Sequence, residues 1–270
     1  MVAFVLSGGA SHGAVQVGML RALTEVGIEP DALYGTSVGA VNASVVAHLP
    51  SAVRLDALTE AWLEFAASSA LRPSLGRHAL AMIGRRRALS DLSPLRARLD
   101  ETFGDARIED TAVPLFVTAT SLLSGRERLL DSGALVDALM ASCAVPGLFP
   151  PVEIDGVPYV DGLLYGAPVE AAARRGHHTL YLLLTNSTLA VDDVPATWWG
   201  IARRAATMIM WNQLRIPDRE SADVVIHTVP APTSMASVGR WDFSHAAELL
   251  ADSYESASRW VSTLVEERVS

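Results

Sequence analysis

Apolar positions along the chain follow two rhythms. Short runs rich in β-branched residues and leucine, at Val2–Leu6, Leu33–Gly35, Pro114–Thr120, Leu180–Thr185 and Asp223–Val229, read as strands. Between them the apolar positions recur at helical spacing. Val15, Met19, Ala22, Leu23 and Val26 share one face, and Gly27 offers a C-terminal stop. A second stripe, Phe243, Ala246, Leu250, Tyr254, Ala257, Val261 and Leu264, predicts a closing helix over 243–269. Strands alternating with helices argue for a sheet covered by helices on both faces. No linker is long enough to divide the chain, so one domain is expected over 1–270. The least regular stretches are 68–90, with Arg72, Arg77, Arg85, Arg86 and Arg87, and 188–197.

Composition narrows the function classes. Half of the 270 residues are apolar and 19% are charged, enough for a sizeable core and unlike a disordered chain. No apolar run approaches the length of about 18 residues that a membrane span needs. Met1 leads directly into the first strand pattern, without a secretory signal, so the expected compartment is cytoplasmic. A lone cysteine, Cys143, excludes a disulfide framework and a cysteine-based zinc site. A net charge of −9 argues against a nucleic-acid partner. Every basic residue is arginine.

Two glycine-rich turns carry chemistry. The first is Gly35-Thr36-Ser37-Val38-Gly39, a G-x-S-x-G between an apolar run and a helical pattern. That spacing suits a serine nucleophile on a sharp strand-to-helix turn, with glycines where neighbouring backbone passes close. The plainer reading is a turn with Ser37 as a helix cap. The second is Ser7-Gly8-Gly9-Ala10-Ser11-His12-Gly13, which opens the first helix and exposes backbone N–H groups at a positive helix end. A dinucleotide fingerprint fits poorly, because Ala10 takes the place of its second glycine. The alternatives are an oxyanion hole serving Ser37 and a purely structural turn.

A base for Ser37 is less obvious. A usual α/β-hydrolase places several strands before its elbow and then supplies Asp and His. Here the elbow comes after a single strand–helix unit. His177, His178, His227 and His245 stand in no catalytic context; His177 and His178 follow Arg174-Arg175-Gly176, a helix-end pattern. Tyr159-Val160-Asp161-Gly162-Leu163 offers a carboxylate, although Asp-Gly between apolar runs first signals a hairpin turn, as does Asp155-Gly156.

Taken together, the stretch from Leu6 to Ala43 (SGGASHGAVQVGMLRALTEVGIEPDALYGTSVGAVNA after Leu6) resembles the opening of a patatin-like phospholipase domain. The stretch from Ala141 to Gly162 (SCAVPGLFPPVEIDGVPYVDG after Ala141) resembles the block holding that family's second catalytic residue. The likeness runs from residue 2 to about residue 185. It implies a three-layer α/β/α fold with a mostly parallel central sheet, and acyl-ester hydrolysis with no metal or cofactor. It also implies a Ser–Asp dyad of Ser37 and Asp161, with Gly8, Gly9 and Ala10 as oxyanion donors and Gly35 and Gly39 supporting the elbow. The implied partner is a lipid or ester substrate. The other readings are a carboxylesterase or thioesterase acting on non-lipid substrates, or a catalytically weak lipid-binding module.

Three positions depart from the family pattern. Ala10 stands where a third glycine is usual, His12 where arginine is usual, and Leu163 where Gly or Ala follows Asp-Gly. A helix is expected over 197–215. One side collects Trp198, Ile201, Ala202, Ala205, Met208 and Ile209 as a core face. The other mixes Trp199, Met210, Trp211 and Leu214 with Arg203, Arg204 and Arg215, a mixture suited to peripheral membrane contact or to packing against another element or subunit.

Overall fold

The computed structural model of the chain describes residues 1–68, 91–185, 196–198, 200–201, 204–205, 208 and 224–269. Its centre is a sheet of eight strands: β1 (Val2–Leu6), β2 (Ala32–Thr36), β3 (Leu115–Ser121), β4 (Glu127–Leu130), β5 (Val152–Ile154), β6 (Val157–Asp161), β7 (Thr179–Leu183) and β8 (Val225–Thr228). Five strands, in the order β3-β2-β1-β7-β8, run parallel, while β4, β5 and β6 join antiparallel. Parallel strands need crossovers, and the helical segments supply them. These are α1 (Ala14–Glu25), α2 (Val38–His48), α3 (Arg54–Ala67), α4 (Ser93–Phe103), α5 (Leu135–Ser142), α6 (Val169–Arg174) and α7 (Ala246–Val269).

Side chains alternate across the sheet with the period of two that strands impose. Phe4, Leu6, Leu33, Tyr181 and Leu183 enter a large core with α1, α2, α5 and α7. Ala3, Val5, Ala32, Tyr34, Leu180 and Leu182 enter a thinner core on the opposite face, closed by Val169 and Ala172 of α6. The result is three layers, α/β/α, with both faces of the parallel strands buried. Helix α1 packs closely on α7, where a Cβ on Gly18 would lie 2.1 Å from Ser253 Oγ. Gly27 ends the turn after α1 at a φ of 75°, donating its N–H to the Thr24 carbonyl.

Four expectations are corrected. The strand pattern missed β4, β5 and β6, which are three to five residues long; β4 and β5 are half-buried, and β6 is interrupted by Pro158. Short marginal strands carry too little periodicity to stand out. Val26 lies beyond the last turn of α1 and is exposed, and Tyr254 stands at the rim of α7 with its hydroxyl donating to Glu25 at 2.7 Å. The expected core face at 198–208 is not buried: Trp198, Ile201 and Met208 are 68, 51 and 42% exposed. An apolar stripe specifies that a face can be covered, not that this chain covers it. Trp199, Met210 and Trp211 lie outside the described residues, as does the arginine-rich stretch within 69–90.

Candidate active site

Strand β3 brings the two halves of the site together. Along Val117–Thr120 one of its edges is occupied by β4. Its other edge is therefore shared: β2 takes the first part, with Thr36 opposite Thr118, and β6 takes the rest, with Asp161 opposite Ala119. The strands β2 and β6 run toward each other and meet end to end. The residue after Thr36 is Ser37, so the serine and the aspartate converge at one point on β3.

Ser37 occupies the turn from β2 into α2 at a φ of 54°, a left-handed conformation that costs a non-glycine residue about 1–2 kcal/mol. The turn is held by contact that only glycine permits. A Cβ on Gly35 would lie 2.4 Å from the Ala40 Cα, and one on Gly39 would lie 2.4 Å from the Leu6 carbonyl oxygen. The Ser37 N–H donates to Ser142 Oγ at 2.7 Å, and that hydroxyl donates to the Thr118 carbonyl at 2.7 Å. Both are buried, Ser37 keeping 8% of its surface and Asp161 1%.

Asp161 is positioned by backbone. Its N–H donates to the Ala144 carbonyl at 2.9 Å, and its Oδ1 accepts the Leu163 N–H at 2.8 Å. Oδ2 is buried without a full hydrogen bond, although the Ser37 hydroxyl stands close enough to favour the ionised form. Burial outweighs that help and the Leu163 N–H, raising the carboxyl pKa to about 7. Cys143 packs into the same corner. Burial, and then the Asp161 charge, push its thiol well up, so it remains a neutral S–H beside Ser37. The consecutive residues Ser142, Cys143 and Ala144 thus touch both halves of the pair.

The glycine-rich loop lies across from Ser37. A Cβ on Gly8 would sit 3.0 Å from Ser37 Cβ and 3.3 Å from Leu163 Cδ1. The N–H groups of Gly8, Gly9 and Ala10 meet no acceptor among the described residues. Ala10 opens a short 3₁₀ turn that leads into α1, at a φ of 52°. Of the three non-glycine residues with positive φ among the described residues, Ala10 and Ser37 are both here. Such strain gathers where geometry is imposed rather than relaxed.

Several residues that hold this geometry carried no signal in the sequence. Gln16 donates to the carbonyls of Ser7 and Leu183 at 2.8 and 2.9 Å, and Asn42 donates to the Gly13 carbonyl and to Gln16 Oε1. Trp62 Nε1 donates to Asn42 at 2.9 Å. A strap from Val238 to Arg240 holds the end of the loop: Ser11 N–H donates to the Arg240 carbonyl at 2.9 Å, and Ser11 Oγ to the Gly239 carbonyl at 3.0 Å. His12 Nε2 lies 2.8 Å from the Val238 carbonyl, and burial lowers the His12 pKa. Three further histidines lie elsewhere: His177 against Tyr34, His227 stacked on Tyr181, and His245 paired with Glu248 at 2.8 Å.

A family model described as Patatin-like phospholipase matches residues 4–173. Among curated proteins the chain is 28% identical over 221 residues to Patatin-like phospholipase domain-containing protein 7 of Rattus norvegicus, covering 79% of this chain and 16% of that protein. It is 30% identical over 161 residues to Lysophospholipase nte1 of Aspergillus terreus, covering 60% of this chain and 10% of that protein. The chain therefore spans well under a fifth of these relatives. Among solved structures, the crystal structure of VipD from Legionella pneumophila aligns with a TM-score of 0.45 and 16% identity, over 92% of this chain and 66% of that one.

Proposed function

Because the chain belongs to the patatin-like phospholipase family, we propose that it is a lipid acyl hydrolase that cleaves carboxylic esters through Ser37 and Asp161. The observation that carries this reading is the meeting of a strained Ser37 with a buried Asp161 whose Oδ2 has no full hydrogen bond among the described residues. A carboxylate near its own pKa at neutral pH is suited to take a proton and return it.

In the proposed reaction Ser37 Oγ attacks the ester carbonyl while its proton passes to Asp161 Oδ2. The carbonyl electron pair moves onto oxygen, where the N–H groups of Gly8, Gly9 and Ala10 receive it. Collapse of that intermediate expels the alcohol, which takes its proton from Asp161 and leaves an acyl-Ser37. Water then gives a proton to Asp161 and attacks the acyl carbon, and collapse releases the acid as Ser37 Oγ takes that proton back from Asp161. Lipid esters are favoured as substrates by the phospholipase and lysophospholipase relatives. A second reading, an esterase for small acyl groups, is favoured by Leu163, which stands beside Gly8 where a smaller residue would leave more room.

The test is a screen of phospholipid, lysophospholipid and short-chain nitrophenyl esters with wild type and Ser37→Ala, together with a fluorophosphonate probe. The expected result is hydrolysis lost in Ser37→Ala and a probe adduct on the peptide containing Ser37. Turnover restricted to short esters favours the second reading. An adduct on another serine with parallel loss of activity overturns the assignment of the nucleophile.

A further inference from the structure

Thr185, two residues past the end of β7 and beyond the stretch that matches the family model, is tied to the glycine-rich loop by its side chain and its backbone. It is fully buried. Its hydroxyl donates to the Gly8 carbonyl. Its N–H donates to Ser7 Oγ at 3.0 Å, and its carbonyl lies 3.3 Å from His12 Nδ1. The side chain also fills the space above Gly9, where a Cβ would fall 2.1 Å from Thr185 Oγ1 and 2.6 Å from its Cβ. Only a glycine can lie this flat on it.

These contacts act on one peptide plane. The bond between Gly8 and Gly9 is trans, so the Gly8 carbonyl and the Gly9 N–H point in opposite directions. Two adjacent glycines leave that plane free to rotate, because neither has a side chain to resist it. We propose that Thr185 is a positioning residue for the oxyanion site: by holding the Gly8 carbonyl on its own side, it aims the Gly9 N–H toward the carbonyl oxygen of an ester bound at Ser37. The Gly9 N–H meets no acceptor among the described residues, and Ser37 Cβ lies within 3.0 Å of the place a Gly8 side chain would take. A hydroxyl on the far side of the plane thus does for this loop what a rigid side chain cannot. The loop is set before substrate arrives, so no reorganisation is needed when charge develops.

This inference rests on the Ser37 reading above, and Ser37→Ala in the full chain serves as its reference. With a nitrophenyl ester, Thr185→Val keeps shape and loses the hydroxyl. Its kcat is expected to fall about ten- to a hundredfold with KM within about twofold, part of the loss seen when an oxyanion donor is removed outright. Thr185→Ser is expected to restore kcat to within about threefold of wild type. A boronic acid inhibitor, which places a negatively charged oxygen in the same position, should lose affinity in Thr185→Val in parallel with kcat. If Thr185→Val does not fold, Thr185→Cys retains the volume with a weaker donor and should show an intermediate kcat. Wild-type kcat in a folded Val or Cys variant, or a loss in Thr185→Val that Thr185→Ser shares to the same extent, overturns the role. Full activity in Ser37→Ala would instead remove the catalytic reading beneath it.

Discussion

The hydroxyl of Ser142 stands between the Ser37 N–H and the Thr118 carbonyl, at 2.7 Å from each. One buried side chain thereby ties the elbow to the strand on which β2 and β6 meet. Removing it leaves a donor and an acceptor unpaired in the interior, at about 1–3 kcal/mol each before relaxation. Ser142→Ala is expected to lose about 2 kcal/mol of stability and at least about tenfold in turnover. Denaturant midpoints and ester kinetics on the same preparation check both; unchanged kinetics in a destabilised variant would confine Ser142 to a structural part.

The base is tested by substitution at two kinds of residue. Asp161→Asn keeps the oxygen that accepts the Leu163 N–H but cannot take a proton, so turnover should fall by at least about a hundredfold. His177, His178, His227 and His245, changed singly to glutamine, should each stay within a fewfold of wild type. A folded but dead histidine variant beside an active Asp161→Asn would point to an imidazole base instead.

The pH profile has a defined sign. Burial raises the Asp161 pKa to about 7, against roughly 4 for an unfolded aspartate, so the folded chain binds more protons across that interval. Its contribution to stability is complete below about pH 4 and is lost as pH rises through about 7. Wild type should therefore lose stability over this window relative to Asp161→Asn, while kcat/KM rises to a plateau above about pH 7. Parallel stability curves for the two proteins would contradict the raised pKa.

Leu163 bears on substrate choice. It follows the Asp161-Gly162 turn and reaches Gly8 beside Ser37. Leu163→Ala should enlarge that side of the site and raise the ratio of kcat/KM for long over short acyl esters by about tenfold, the scale of a few methylenes in an apolar pocket. A chain-length series read against wild type gives the answer, and an unchanged ratio places the acyl group elsewhere.

How much of this was legible in the sequence follows from the range of each signal. The parallel strands and the elbow could be read because each is written in consecutive residues: Val2–Leu6 and Gly35–Gly39 name their own geometry. The approach of Asp161 to Ser37 could not be read from spacing, since it depends on β6 arriving head-on at β2 along one edge of β3. Ser142, Gln16, Asn42 and Thr185 were invisible for a related reason. Each is an ordinary polar residue whose partners lie 9 to 178 positions away. The stripe of Trp198, Ile201 and Met208 shows the converse: helical periodicity was clear, and the burial it suggested is absent.

The central place of β1 has a consequence for synthesis. This strand pairs on one edge with β2, which follows within 30 residues, and on the other with β7, which begins at Thr179. At about 5–20 residues per second, the second edge of a nascent β1 stays open for roughly ten to thirty seconds on the ribosome. Throughout that interval its unpaired carbonyl and N–H groups invite any other strand nearby. A strand made long before β7 is thus enclosed only when β7 arrives, and the middle of the sheet must stay vacant until then.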